Sequence, residues 1–434
     1  MRVFQVVVLM FFGFALLIGS LIFSGILPGF RAPTAGTGGS VVLWGTIPSS
    51  QIEPFLRDFR AKHQGEFTLE YVAKNKDTFE DEYLQALALG RGPDLVFFPQ
   101  EMIARFGDTL SPLPFETMSE RVFRDTFIQG SDIYLSTDGI LALPLVVDPL
   151  VMYYNRNMLT NVGITQAPTN WSQLILDVDQ ITEIDNRRNI LTSAVALGEF
   201  TNIKNAKDIL AMLFLQAGNR IVEIGARGYR STLADKNNQA GLLSTVSALD
   251  FFTQFADQSR TTYTWSRSLP EAEQSFLAEK LAFYFGFASE FSTLRTKNPN
   301  LNFDLSVVPQ RDSGGTKQTL GHFAGIAVLA NSANKLTAWE IALLLATSEN
   351  ASALSAVWQL PPVRNDLLAT QVTDAILPVF YDSARISRTW RDPNPKVTAD
   401  ILEQMTADAL LKRKSSAEAI NDASSQIDNL FDTL

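Results

Sequence analysis

The chain has 434 residues, 46% of them hydrophobic and 19% charged, an ordinary globular composition long enough for two or three folding units. Its 36 Lys and Arg against 46 Asp and Glu give a formal net charge of -10, which argues against nucleic acid as a partner, because phosphate neutralisation needs a basic face. The absence of Cys excludes disulfides, thiol nucleophiles and zinc–thiolate sites.

The first element is apolar. From Val3 to Leu27 the only strongly polar residue is Gln5, and there is no charge. About 20 apolar residues span a bilayer core, and this run exceeds the ~7–15 residue apolar core of a cleaved signal peptide. Residues 1–27 are therefore expected to be a transmembrane anchor or uncleaved signal. Arg2 before it and Arg31 after it place the N-terminus inside and the body on the extracytoplasmic side of the cell membrane, in single-pass topology. Residues 28–40, "PGFRAPTAGTGGS", are Gly, Pro, Thr and Ser rich and read as a flexible linker.

The body begins with "VVLWG", a strand. Ser50-Gln51-Ile52-Glu53 is a capping-box pattern, followed by Ile52, Phe55, Leu56 and Phe59 on one helical face. "FTLEYV" alternates as a strand does. Phe79, Tyr83 and Leu87 mark a second amphipathic helix, and "DLVFF" is a short apolar strand. Strand, helix, strand, helix, strand implies a parallel sheet covered by helices. Ligands of such sheets bind beyond the carboxyl ends of the strands, where Trp44 and Phe98 stand.

Next comes "GILALPLVVDPLVMYYNRNML", with Asp148 as its single acid and Pro144 and Pro149 interrupting it. The α/β pattern then restarts. Thr169-Asn170 precedes a helical face of Trp171, Leu174, Ile175, Val178 and Ile181, and "ILTSAVAL" reads as a strand. Ile209, Leu210, Leu213 and Phe214 form one stripe; Leu242, Val246, Leu249 and Phe252 form another. "LAFYFGF", "FDLSVVP" and "FAGIAVLA" read as strands, two helical segments run from Asn334 to Trp358, and the C-terminal part is helical. No internal repeat of roughly 20–50 residues is visible.

Several of these blocks, in this order, resemble one family. "GPDLVFF", "GILALPLVVDPLVMYYNRNMLTNVGI", "APTNWSQL", "AEQSFLAEKLAFYFGFASEF", the long block from Gly321 to Arg364 and "KSSAEAINDASSQIDNL" are similar to segments of the extracellular solute-binding proteins, family 1, of ABC importers. The resemblance implies an α/β, two-lobed periplasmic-binding-protein-like fold of type II, each lobe a mainly parallel sheet covered by helices. The expected lobes are 41–147 with 310–366, and 148–309 with 367–434. "GILALPLVVDPLVMYYN" becomes the first crossing between them, with its Tyr pair near the cleft entrance. The implied function is an extracytoplasmic, monomeric receptor that closes over a carbohydrate or similar polar solute and delivers it to ABC permease subunits. It is not an enzyme and carries no cofactor. The family's usual lipidated Cys is missing, so the apolar N-terminus would be the anchor.

Sugars are held by aromatic faces and by planar polar groups on their hydroxyls. The candidate ligand residues are Trp44, Phe98, Asp148, Tyr153, Trp265, Phe287, His322, Trp358, Arg364 and Trp390. Trp44 ends the first strand. Trp265 lies in the polar "TTYTWSRS", where no helical stripe accounts for its burial, so Trp44 and Trp265 are expected to face one cleft. Trp171 and Trp339 lie on helical stripes and read as core. Asp148 could accept from hydroxyls or cap a turn, His322 could serve ligand or structure, and Arg364 could bind ligand, cap or pair on the surface. With 46 acids, a glycosidase-like carboxylate pair can always be found, so that alternative has no specific signal. There is no GxSxG, HExxH, Walker A or dinucleotide glycine fingerprint, and only two His. An adhesion module on the same fold is the remaining alternative.

Overall fold

The computed structural model describes residues 39–225, 228–234, 239–312, 315–371, 373–374 and 376–434. The expected anchor and nearly all of the expected linker lie outside these. Among the described residues, no single helix is long and apolar enough to cross a membrane.

The first α/β unit is β1 (Ser40–Gly45), α1 (Ser49–Lys62), β2 (Thr68–Ala73), α2 (Phe79–Ala88) and β3 (Leu95–Pro99). β1 lies between β2 and β3, parallel to both. Ile52, Leu56 and Phe59 of α1 are buried, as the helical spacing predicts. The expected capping box at Ser50 does not form. The helix starts at Ser49, two residues earlier than a Ser50 cap requires, behind Pro48 with no side-chain cap, and the Glu53 carboxylate accepts from Arg60 Nη1 at 2.8 Å instead.

β4 (Leu143–Asn155) is the long quiet stretch. The second unit follows: α3 (Trp171–Ile181), β5 (Glu183–Ile184), β6 (Ile190–Val195), α4 (Ala206–Gln216), the hairpin β7 (Val222–Gly225) and β8 (Gly228–Ser231), α5 (Gln239–Thr253) and β9 (Leu281–Phe287). Asn170 caps α3, its side chain accepting from Gln173 N at 2.9 Å. β9 is buried along its whole length, which explains its unbroken apolar run. β10 (Phe303–Ser306), β11 (Thr319–Val328), α6 (Lys335–Leu345), α7 (Ser348–Trp358), β12 (Ser387–Arg388), α8 (Pro395–Leu410) and α9 (Ser416–Phe431) complete the chain.

The main sheet runs β2-β1-β3-β11-β4-β9-β6-β5, with β10 on β4 and β12 on β11. It is mixed, not mainly parallel. β11 is antiparallel to β3 and to β4, and β4 is antiparallel to β9 and β10. The reason is the crossing itself: β4 carries the chain out of the first unit and β11 brings it back, so the two run opposite ways.

Two hydrophobic cores sit on either side of this crossing. One holds Val41 to Val147, then Phe323 to Leu368 and Ala384. The other holds Leu150 to Val308, then Leu320, Phe380 and Trp390 to Ile427. The chain changes core within β4 between Val147 and Leu150 and within β11 between Leu320 and Phe323, and it passes back and forth between Leu368 and Trp390, with Phe380 in the second core and Ala384 in the first. Leu360 packs against both.

Candidate functional site

The two crossing strands bring their changeover residues together. In the β4–β11 register His322 lies opposite Asp148. The imidazole is approached from both units. Glu101, in the turn that follows β3, places Oε1 3.6 Å from Nδ1. Asp208, in the first turn of α4, places Oδ1 3.2 Å from Nε2. The Phe287 ring at the end of β9 stacks on the imidazole, with centroids 4.3 Å apart and planes inclined at 28°. Asp148 accepts from Ser289 N at 3.0 Å. Neighbouring Gln100 ties the turn to β11, its Oε1 accepting from Phe323 N at 2.7 Å.

The electrostatics follow from this geometry. Burial alone would lower the His322 imidazole, but the carboxylates of Asp208, Glu101 and Asp148 outweigh it and hold it at about 9, so it carries a proton at neutral pH. Its side chain keeps 35% of its surface exposed, so water still reaches it. Burial pushes the Asp148 carboxyl up from its ordinary value, against the opposing pull of the Ser289 hydrogen bonds and the His322 charge.

Further charged groups surround this centre. Lys207, next to Asp208, donates to Asp392 Oδ2 at 2.6 Å, and its ammonium lies 5.8 Å from the centre of the Trp390 ring. Arg391 reaches from the second unit to the first, donating to Ile133 O at 3.1 Å, and its guanidinium lies over Tyr229 at 4.4 Å. Burial lowers the Arg105 guanidinium while the charge of Asp392, from the other unit, raises it. Arg105 is held by Glu80, and its Nε is buried without a hydrogen-bond partner. The junction thus brings together carboxylates, cations and one orphaned donor, while Phe287 and Trp390 are buried, each 6% exposed. Among the described residues no cluster of three or more His, Asp or Glu side chains could hold a metal ion.

Of the sequence candidates, Asp148, Phe287 and His322 meet in one cluster, and Trp390 lies beside it through Lys207. Trp44 is half-buried in the first unit under the Lys74 ammonium, 3.7 Å above its ring. Trp358 is half-buried edge-on to Phe97 at 4.8 Å. Arg364 is occupied by the Asp366 carboxylate at 3.0 Å and by Ala346 O at 2.9 Å, which is its capping and pairing alternative. Three candidates are corrected. Trp265 has no exposed surface, and its indole N–H donates to Asn202 Oδ1 at 3.0 Å inside the second core, so it does not share a cleft with Trp44. Phe98 is fully buried in the first core. Tyr153 is fully buried in the second core, its hydroxyl donating to Phe287 O at 2.7 Å, so it supports the site from beneath and does not line an entrance. Glu101, Arg105, Lys207, Asp208, Arg391 and Asp392 escaped the sequence reading. The one available signal was position: Glu101 lies just past the β3 end that the strand-terminus rule had singled out.

A family model described as bacterial extracellular solute-binding protein matches residues 55–378, most of the chain. The chain belongs to that family. Among curated relatives, a binding protein of Brucella abortus (strain 2308) is 20% identical over 294 residues, 67% of this chain and 66% of the relative's own length, so the match spans just under two thirds of that protein. Among solved structures, a cyclo/maltodextrin-binding protein complexed with maltotetraose aligns with a TM-score of 0.73 at 14% identity, over 92% of this chain and 99% of that one. The sugar-binding protein MalE from the phytopathogen Xanthomonas citri aligns with a TM-score of 0.72 at 16% identity, over 91% and 98%. This solute-binding protein thus has the two-lobed periplasmic-binding-protein-like α/β fold, with the His322 cluster where its two cores meet.

Proposed function

We propose that this solute-binding protein is the membrane-anchored, extracytoplasmic receptor of an ABC importer, and that it grips a carbohydrate or similar polar solute between its lobes without chemical turnover. The observation that carries the reading is the His322 cluster, where polar groups from both lobes, Glu101 and Asp208, converge beside the Phe287 face. Hydroxyls suit such a place, because each can donate to a carboxylate and accept from a cation. The likeness to a cyclo/maltodextrin-binding protein complexed with maltotetraose and to a sugar-binding protein supports a sugar as the solute. We place the lobe boundaries at the changes of core within β4 and within β11, and in the stretch between Leu368 and Trp390. Closure of the lobes by hinge movement couples binding to shape, and ATP hydrolysis belongs to a separate permease-associated subunit.

A thermal-shift screen of the full-length chain against maltooligosaccharides, other neutral oligosaccharides and small polar solutes tests this. A ligand of the folded state at 100 times its Kd adds about 2.7 kcal/mol of apparent stability. At least one saccharide should raise the melting temperature and be recovered intact after hours of incubation. Absence of any shift at millimolar concentration, or cleavage of the saccharide, contradicts the reading.

A further inference from the structure

A cavity of about 550 Å³ lies beside the crossing strands, and none of the His322 cluster residues lines it. Successive residues of β11 face opposite ways. His322 turns to Glu101 and Asp208, while Phe323 turns to Gly130, where a Cβ would fall 2.2 Å from Phe323 Cζ. The segment around Gly130 forms one wall of the cavity, and β12, which pairs with the start of β11, supplies Arg388 to it. Arg124, Arg385 and Arg388 line the cavity with Gln129, Asn365 and a single acid, Asp132.

The three guanidiniums are not equally committed. Arg124 pairs with Glu120 at 2.8 Å and lies 3.7 Å from Asp132. Arg385 is paired with Asp382 at 2.5 Å. Among the described residues, Arg388 donates only to neutral oxygens, Gln129 Oε1 at 2.6 Å and Ser387 O at 2.8 Å. Burial lowers Arg388, with only the Coulombic pull of Asp132 to offset it. A half-buried guanidinium at a cavity wall, with no carboxylate in contact, is electrostatically incomplete, and its fork of donors matches an oxyanion.

We propose that this cavity is an anion-binding site, separate from the solute site, that takes a small phosphate-bearing or polycarboxylate ligand through Arg388 and Arg124. The volume is that of a small-molecule pocket and exceeds what a bare inorganic ion fills. The lining comes from the first lobe, through Gln129 and Asn365, and from the stretch between Ala384 and Trp390 where the chain changes core. The proposal does not depend on which solute the His322 cluster holds.

Isothermal titration calorimetry of the full-length chain, with inorganic phosphate in one arm and citrate in the other at constant ionic strength, tests it. Saturable binding is expected in at least one arm and not with chloride, and the arm that binds identifies the ligand class. Arg388→Gln should weaken that binding about tenfold or more, the scale of one lost charge-assisted hydrogen bond. Arg124→Gln should weaken it in the same direction and serves in place of Arg388→Gln if that variant fails to fold. Arg57→Gln, on the exposed side of α1 beside Asp58, should leave it unchanged. No saturable signal in either arm with the wild-type chain, or wild-type affinity in a folded Arg388→Gln or Arg124→Gln protein, overturns the proposal.

Discussion

His322 shows how a single side chain can tie pH to the folded state. Its ordinary value is near 6.5 and its folded value about 9, raised by Asp208, Glu101 and Asp148 against the effect of burial. A raised basic group stabilises fully below the unfolded value and loses that contribution as pH climbs through the folded one. The melting temperature of the wild-type chain should therefore fall between about pH 6.5 and 9, and His322→Gln should flatten that slope. Melting curves across this range check it, and equal slopes in the two proteins would count against a protonated His322. At the same scale, Trp265 shows why the aromatic candidates were only partly legible. Its polar sequence neighbourhood suggested exposure, yet a buried indole needs a hydrogen-bond acceptor, and Asn202 supplies one. Polar surroundings in sequence are therefore as compatible with a satisfied core Trp as with a ligand platform.

The elements themselves were largely legible, because apolar periodicity reports which face is buried. Ile52, Leu56 and Phe59 are buried on α1, and Trp171, Leu174, Val178 and Ile181 on α3, as their spacing required. Strand pairing was not legible, since β4 and β11 meet across more than 160 residues and nothing local records their antiparallel register. Asp208 was missed for a related reason: it opens α4, a helix conspicuous for its apolar stripe, and only the fold carries it to His322. Packing at the crossing also makes a demand that sequence does not announce. A Cβ on Gly130 would meet Phe323 Cζ at 2.2 Å and Ser387 O at 2.6 Å, and the second is backbone that cannot swing aside. Gly130→Ala should destabilise by about 1–3 kcal/mol through overpacking. Urea denaturation measures it, and an unchanged midpoint with an unchanged slope would show that the turn has room to move.

At the scale of the whole molecule, two cores share two long strands, and the charged groups that the lobes present to each other are concentrated where those strands cross. The hydrogen bond from Arg391 to Ile133 O joins the two units, and any opening movement between them must alter it. A solute held at that place gains from both lobes only when they are together, which is the thermodynamic condition for ligand-driven closure. The most direct test is isothermal titration calorimetry of the full-length chain with a saccharide found to stabilise it, repeated on Glu101→Gln and Asp208→Asn. One site per chain is expected, with affinity about tenfold weaker in each variant and melting temperatures that show both remain folded. Wild-type affinity in both folded variants would place the solute somewhere other than the junction around His322.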